Sequence, residues 1–467
     1  MSVPFRAQDA ADWTAGALLQ GRPEIRFTGA SIDTRSVGAN DLFVAIVGPS
    51  HDAHRFLPEA IAGGASGLVM ERGRALPAEI KPDVPVVAVT DTTRALGALA
   101  AGHRAGFRGP VVAITGSNGK TTTKEMCAAI LSVAAPCLKN EGNLNNQFGL
   151  PLTLLRRNAT DRRIVVEIGM NHRGEIAALA AIAAPTIGVL TNIGAAHIEH
   201  LGSEDEIARE KGDLLACLPA DGTAVVNADD PRAAAQAGRS DARVVRFGRA
   251  ADADVRAERV AERSGRGFAF ELHAPEGRTP VEVAGVGETA ILNALAAAAA
   301  ALAAGAGLDE VSEGLAAHRP VRGRMQRRDL PGGVVVLDDT YNANPQSMDA
   351  ALESLARAKG DHRGLVVVGD MGELGAASDE AHAQVGRRAA ALGLDGLFAL
   401  GEHAEGVAAA AIEAGMPTER VHVGADHAGL ATLVRSALQR GDWILVKGSR
   451  AMQMERVVEE LAGEEAH

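Results

Sequence analysis

Ten residues, Thr115-Gly-Ser-Asn-Gly-Lys-Thr-Thr-Thr-Lys124, constrain the fold of this chain more than any others. They follow the apolar run Val111–Ile114 and precede a helix-like stretch, Glu125–Val133. A buried strand that passes through a glycine turn into a helix is the opening of a parallel β–α unit. Gly116 and Gly119 lack Cβ atoms, so backbone N–H groups can close on a polyphosphate. The helix N-terminus adds partial positive charge. Lys120 is placed to neutralise β/γ-phosphate oxygens, and Thr121 or Thr122 to ligate magnesium. The spacing is not that of the common phosphate loop, which needs glycine at position 114, where this chain has Ile114. A plain glycine turn beside an exposed lysine is the alternative; the strand–helix setting favours phosphate.

Length and composition bound the rest. A chain of 467 residues has room for about three domains. Aromatic residues are only 3% of the chain, so cores must be filled by Ala, Val, Leu and Ile, and base-stacking surfaces are not expected. The net charge of −12 disfavours nucleic acid or an anionic membrane as partner. Cys127, Cys137 and Cys217 fit neither a disulfide framework nor a zinc site, which suits the cytoplasm. No signal peptide is evident, and the apolar stretch around 294–304 is too short for a membrane span.

Three α/β segments follow from the pattern. Residues 1–109 carry short strand candidates at 42–47, 67–70 and 84–89, with a polar turn cluster at 31–36. Residues 110–319 carry buried strands at 111–115, 163–168, 187–191 and 224–227, separated mostly by helices. That alternation predicts a mainly parallel sheet covered on both faces. Residues 253–283 alternate instead and predict an antiparallel insertion; an alanine-rich helix follows at 289–304. Residues 320–467 carry strands at 334–337, 365–368, 396–400, 420–423 and 443–446 and a last helix from about 451. This unit is similar to a Rossmann topology without its dinucleotide fingerprint.

Polar clusters at strand ends mark candidate sites, because open α/β sheets bind ligands there. Glu167 ends one strand and could hold magnesium, or be a surface glutamate. His197 follows another strand; its position alone makes it a metal-ligand candidate. Lys211 reads as an ordinary exposed helical lysine. Residues 338–346, with the only tyrosine, form either a site or a turn before a helix, and both can hold. Arg322 and Arg324 offer forked donors for phosphate. Residues 447–450 suit capture of a carboxylate, or form a plain surface patch.

Together these segments resemble the Mur ligase superfamily, ATP-dependent amide-bond formers of bacterial cell-wall precursor synthesis. The resemblance spans nearly the whole chain. It is closest to the branch that adds D-alanyl-D-alanine, through Glu141-Gly-Asn-Leu-Asn-Asn-Gln-Phe-Gly-Leu-Pro151, Glu167-Ile-Gly-Met-Asn-His-Arg-Gly-Glu175, Asp339-Thr-Tyr-Asn-Ala-Asn-Pro345, Val368-Gly-Asp-Met-Gly-Glu-Leu-Gly375 and Val446-Lys-Gly-Ser-Arg-Ala-Met452. It implies an N-terminal domain for a UDP-sugar, a central ATPase and a mobile C-terminal lid.

The resemblance also implies roles. Gly116, Ser117, Asn118, Gly119, Lys120, Thr121, Thr122, Asn146, Asn293, Arg324, Asp339 and Asn342 would contact ATP. Thr121, Glu167, His197 and a carbamylated Lys211 would bind Mg²⁺, with Lys120, Glu167, His197 and Lys211 as the catalytic set. Ser31, Thr34 and Arg35 would hold the UDP part, and Asn171, His172, Asn344, Lys447, Ser449 and Arg450 the rest of the substrates. The family's usual histidine near 289 is Thr289 here, and Gly48–His54 departs from the usual pattern. The implied reaction joins D-Ala-D-Ala to UDP-MurNAc-tripeptide in a cytoplasmic monomer. Rivals are a ligase adding the third residue or glutamates to folate, and a phosphate-loop kinase or switch.

Overall fold

The computed structural model describes residues 2–196 and 198–463. Its strands form three main sheets, each built mostly of parallel strands. The five-stranded N-terminal sheet runs, edge to edge, Ala17–Gln20, Val86–Val89, Gly67–Glu71, Asp41–Val44 and Gly29–Ser31. Only Ala17–Gln20 is antiparallel.

The central sheet has nine strands. Val111–Thr115 lies in its parallel part, between Arg163–Glu167 on one side and Ile187–Leu190 on the other. The chain therefore crosses from one flank of Val111–Thr115 to the other, and a crevice opens at the carboxyl ends of these strands. The interiors of all three strands are apolar and buried because helices cover both faces. Val255–Glu262, Gly267–Ala274 and Gly277–Ala284 form the expected antiparallel extension.

The third sheet has six strands, with Gln326–Asp329 as an antiparallel edge beside Val335–Asp339. Trp443–Lys447 then pairs with both Val335–Asp339 and Gly364–Gly369. Asp339 and Lys447 are thus register partners at the ends of adjacent strands.

Several boundaries differ from expectation. The loop helix begins at Lys120, five residues before the predicted start, and runs to Ser132. A polar first turn, Lys-Thr-Thr-Thr-Lys, hid it. The last helix begins at Glu455, after a short 3₁₀ turn at Arg450–Met452. Short strands at Phe5–Arg6, Arg26–Phe27, Gly29–Ser31, Cys137–Lys139 and Gln326–Asp329 lack the apolar run that would announce them; Ser31, expected in a turn, ends one. The helix Thr289–Ala303 matches expectation and packs against the loop helix; its alanines Ala294 and Ala296–Ala301 are buried. Among the described residues no helix is long and apolar enough to cross a membrane.

Candidate active site

A cleft of about 1310 Å³ lies between the central and C-terminal sheets. The phosphate-type loop forms part of its wall from Ser117 to Thr122. Gly116 (φ +146°) has no room for a side chain, since a Cβ there would stand 1.9 Å from Thr191 Oγ1. Gly119 (φ +81°) would bring a Cβ within 2.2 Å of Asn293 Oδ1. Both positions therefore require glycine. Ser117 Oγ donates to the Gly194 carbonyl at 3.0 Å, and Asn118 N–H donates to Asn192 Oδ1 at 2.9 Å. The loop is thus tied to the end of the neighbouring strand.

Lys120 Nζ donates to the Gly116 carbonyl at 2.8 Å. Burial lowers its pKa; Glu167 opposes that shift and Arg324 adds to it. Thr121 Oγ1 donates to Glu167 Oε2 at 2.8 Å. Asn145 Nδ2 donates to the other carboxylate oxygen at 2.7 Å. Glu167 is 2% exposed, so these two donors stand in for the water it has lost. The loop hydroxyl and a strand-end carboxylate meet as the strand order requires.

Asn145 was missed in the sequence. Its neighbour Asn146 lines the cleft, but its side chain accepts Phe148 N–H and Gly149 N–H at the start of a helix. Three asparagines crowd residues 143–146, and only the fold distinguishes which reaches Glu167.

Lys211 corrects its reading as a solvated lysine. It is 1% exposed, and burial together with Lys120 pushes its pKa well below the usual lysine range, with Glu210 opposing. Glu210, also unforeseen, caps the N-terminal end of the helix Glu175–Ala183 through Gly174 N–H (2.8 Å) and Ile176 N–H (3.0 Å). His197 lies outside the described residues.

From the C-terminal unit, Arg324 Nη2 donates to Thr121 Oγ1 at 3.2 Å, and its guanidinium lies 3.8 Å from the centroid of Tyr341. Asn344 Nδ2 donates to Asn118 Oδ1 at 2.8 Å, and Asn118 Nδ2 donates to Gln346 Oε1 at 2.9 Å. Asn293 sits beside Gly119 and accepts from Thr123 Oγ1 at 3.3 Å.

Other expected residues are placed differently. Arg322 pairs with Glu459 and does not line the cleft, so the two arginines are not a joint fork. Lys447 is 2% exposed and already engaged by the Asp339 carboxylate and, at 2.9 Å, the Asn342 carbonyl. It lines the cleft with one N–H left over from these two bonds, and Asp339 also accepts Met325 N–H. Ser449 and Arg450 line the cleft, with Arg450 held by Glu455 at 2.7 Å. Asn171 and His172 are exposed on the cleft wall. Ser31, Thr34 and Arg35 do not line this cleft. They cluster at the edge of the N-terminal sheet, where Thr34 Oγ1 donates to Glu59 at 3.2 Å and Arg35 pairs with Asp33 at 2.6 Å.

A tethered loop, a lysine, a hydroxyl–carboxylate pair and an arginine from a second unit thus meet in one cleft, and the family follows from sequence. The chain belongs to the Mur ligase family: residues 114–301 match the Mur ligase middle domain and residues 323–450 the Mur ligase, glutamate ligase domain. It is 40% identical over 450 residues, 95% of each chain, to the UDP-N-acetylmuramoyl-tripeptide–D-alanyl-D-alanine ligase of Escherichia coli strain K12. It superposes on a crystal structure of MurF from Acinetobacter baumannii with a TM-score of 0.88, 32% identity and 99% coverage of both chains. A MurF ligase from Thermotoga maritima in complex with ADP gives a TM-score of 0.82 at 29% identity, covering 93% of this chain and 97% of that one.

Proposed function

We propose that the chain is an ATP-dependent ligase that joins D-Ala-D-Ala to UDP-MurNAc-tripeptide, giving the pentapeptide precursor of peptidoglycan. The observation that carries the reading is the bond from Arg324 to Thr121, which brings a C-terminal-unit cation onto the phosphate loop of the central unit. A kinase or switch has no need of a second α/β unit there. Full-length similarity to D-alanyl-D-alanine-adding ligases supports this branch over those adding a third residue or glutamates.

In the proposed reaction the terminal carboxylate of the tripeptide attacks the γ-phosphorus of ATP. The P–O bond to ADP breaks and an acyl phosphate forms. The amine of D-Ala-D-Ala then attacks the acyl carbon, expels inorganic phosphate and loses a proton. Phosphorylation replaces an impossible oxide leaving group by phosphate. Loop amides, Lys120 and Arg324 lower the energy of charge building on the transferred phosphoryl group. Asn293, beside Gly119, and Asp339 line the nucleotide's path. The closed lid excludes water from the acyl phosphate.

The residues present fit magnesium. Thr121 and Glu167 supply hydroxyl and carboxylate oxygens, the hard donors that Mg²⁺ takes together with phosphates and water. Bound there, the ion would offset phosphate charge. Lys211, whose pKa burial pushes well below the usual lysine range, would be the amine that forms a carbamate and adds a further oxygen ligand.

We place the units at 1–109, 110–319 and 320–467; the strands of the three sheets fall within those ranges. Ser31, Thr34 and Arg35 form the surface we assign to the UDP end. A cytoplasmic monomer fits three free cysteines and small-molecule substrates. Mass spectrometry of product with ATP, Mg²⁺, UDP-MurNAc-tripeptide and D-Ala-D-Ala, each omitted in turn, tests the reading. Pentapeptide must form only with all four. Labelled oxygen from the tripeptide carboxylate must appear in the released phosphate.

A further inference from the structure

Arg324 is held in an unusual way. Among the described residues no carboxylate pairs with it, and its Nε is buried without a hydrogen-bond partner. Most arginines here lie against Asp or Glu, as Arg328 does with Asp338 at 2.9 Å. Arg324 instead stacks on the ring of Tyr341, the only tyrosine of the chain. The stack is built in, since Tyr341 N–H donates to the Gly323 carbonyl at 3.1 Å.

A carboxylate partner would fix the guanidinium but cancel its charge. An aromatic face orients a cation by its quadrupole and leaves the charge available. Orientation is needed because Lys120 stands close enough for Arg324 to depress its pKa, so the two cations repel across the loop. We propose that Tyr341 is a positioning residue, whose ring face holds the Arg324 guanidinium over the phosphate loop for the transferred phosphoryl group. The proposal rests on the reading that ATP phosphates occupy that loop.

The test compares kcat and KM in the full-length enzyme. Tyr341→Phe keeps the ring and should stay within about twofold of the parent, whereas Tyr341→Leu should lose about 10-fold in kcat. KM for D-Ala-D-Ala should not change. Pentafluorophenylalanine at 341 keeps the shape, reverses the sign of the face and should fall with Tyr341→Leu; it also serves if that variant does not fold. Arg324→Ala should abolish the difference between Tyr and Leu at 341. The proposal is overturned if Tyr341→Phe loses as much as Tyr341→Leu, if the fluorinated ring retains full kcat, or if the losses at 324 and 341 multiply. Full turnover in Lys120→Ala would instead remove the ATP reading beneath it.

Discussion

The side-chain amide of Asn344 donates to Asn118 Oδ1 at 2.8 Å, joining the first residue before a C-terminal-unit helix to the phosphate loop of the central unit. Asn118 passes the contact on to Gln346 at 2.9 Å. Asn344 also caps its helix by accepting Ser347 N–H, so replacing it mixes two effects. Gln346→Ala isolates the contact between units. It should lower kcat by about threefold to 10-fold, the range of one hydrogen bond, with little change in melting temperature. Small-angle scattering should show a wider spread of domain separations; an unchanged profile with unchanged kcat would refute the link.

Lys120→Ala should reduce kcat at least about 100-fold while the fold survives, because the side chain aims at loop carbonyls and not at the core. Lys120→Arg should not restore activity, since a planar fork does not fit the space of a point charge. Steady-state kinetics with circular dichroism decides both.

Glu167→Gln preserves volume and removes the charge beside Thr121. Activity should fall about 100-fold or more, and the magnesium requirement should rise. Asn145→Ala leaves Glu167 Oε1 without its amide donor and should cost about 10-fold, with the same shift in magnesium titration. A loss in Asn145→Ala with no magnesium shift would mean that Asn145 acts elsewhere.

Lys211→Ala should lose activity, with partial rescue by small carboxylates. The parent grown with ¹³C-bicarbonate should show a carbamate resonance that the variant lacks. Absence of that resonance in active enzyme removes the carbamate assignment.

His318 gives a pH prediction. It is 5% exposed, burial pushes its pKa down to about 4, and its Nε2 lacks a partner. Above about pH 6.5 the imidazole is neutral in folded and unfolded chains alike. Between about 6.5 and 4 only the unfolded chain binds the proton, so stability drops as pH falls. The drop at pH 5 is about 2 kcal/mol. Denaturant midpoints near pH 7.5 and 5 should differ less in His318→Leu than in the parent.

The sequence made the phosphate loop legible because strand, glycines, lysine and helix are contiguous. Glu167 was legible from its place at a strand's end. Lys211 was not: Arg-Glu-Lys-Gly-Asp looks solvated, and only packing against the sheet removes it from water. Arg322 and Arg324 are two apart, yet one pairs with Glu459 outside the cleft and the other reaches Thr121. Lys447 lines the cleft as expected, but strand register puts Asp339 beside it, a partner that local sequence does not announce. Each of these features depends on the direction of a side chain, which local spacing does not set.

The alanine run in Thr289–Ala303 sets a height. This helix packs against the loop helix, and the Asn293 amide rests against Gly119. Ala297 and Ala300 are fully buried, so one extra methylene at either would act as a wedge and shift the helix that carries Asn293. On the proposed nucleotide role of Asn293, buried alanines away from the cleft belong to the gauge of ATP binding, and affinity should record their size before stability does.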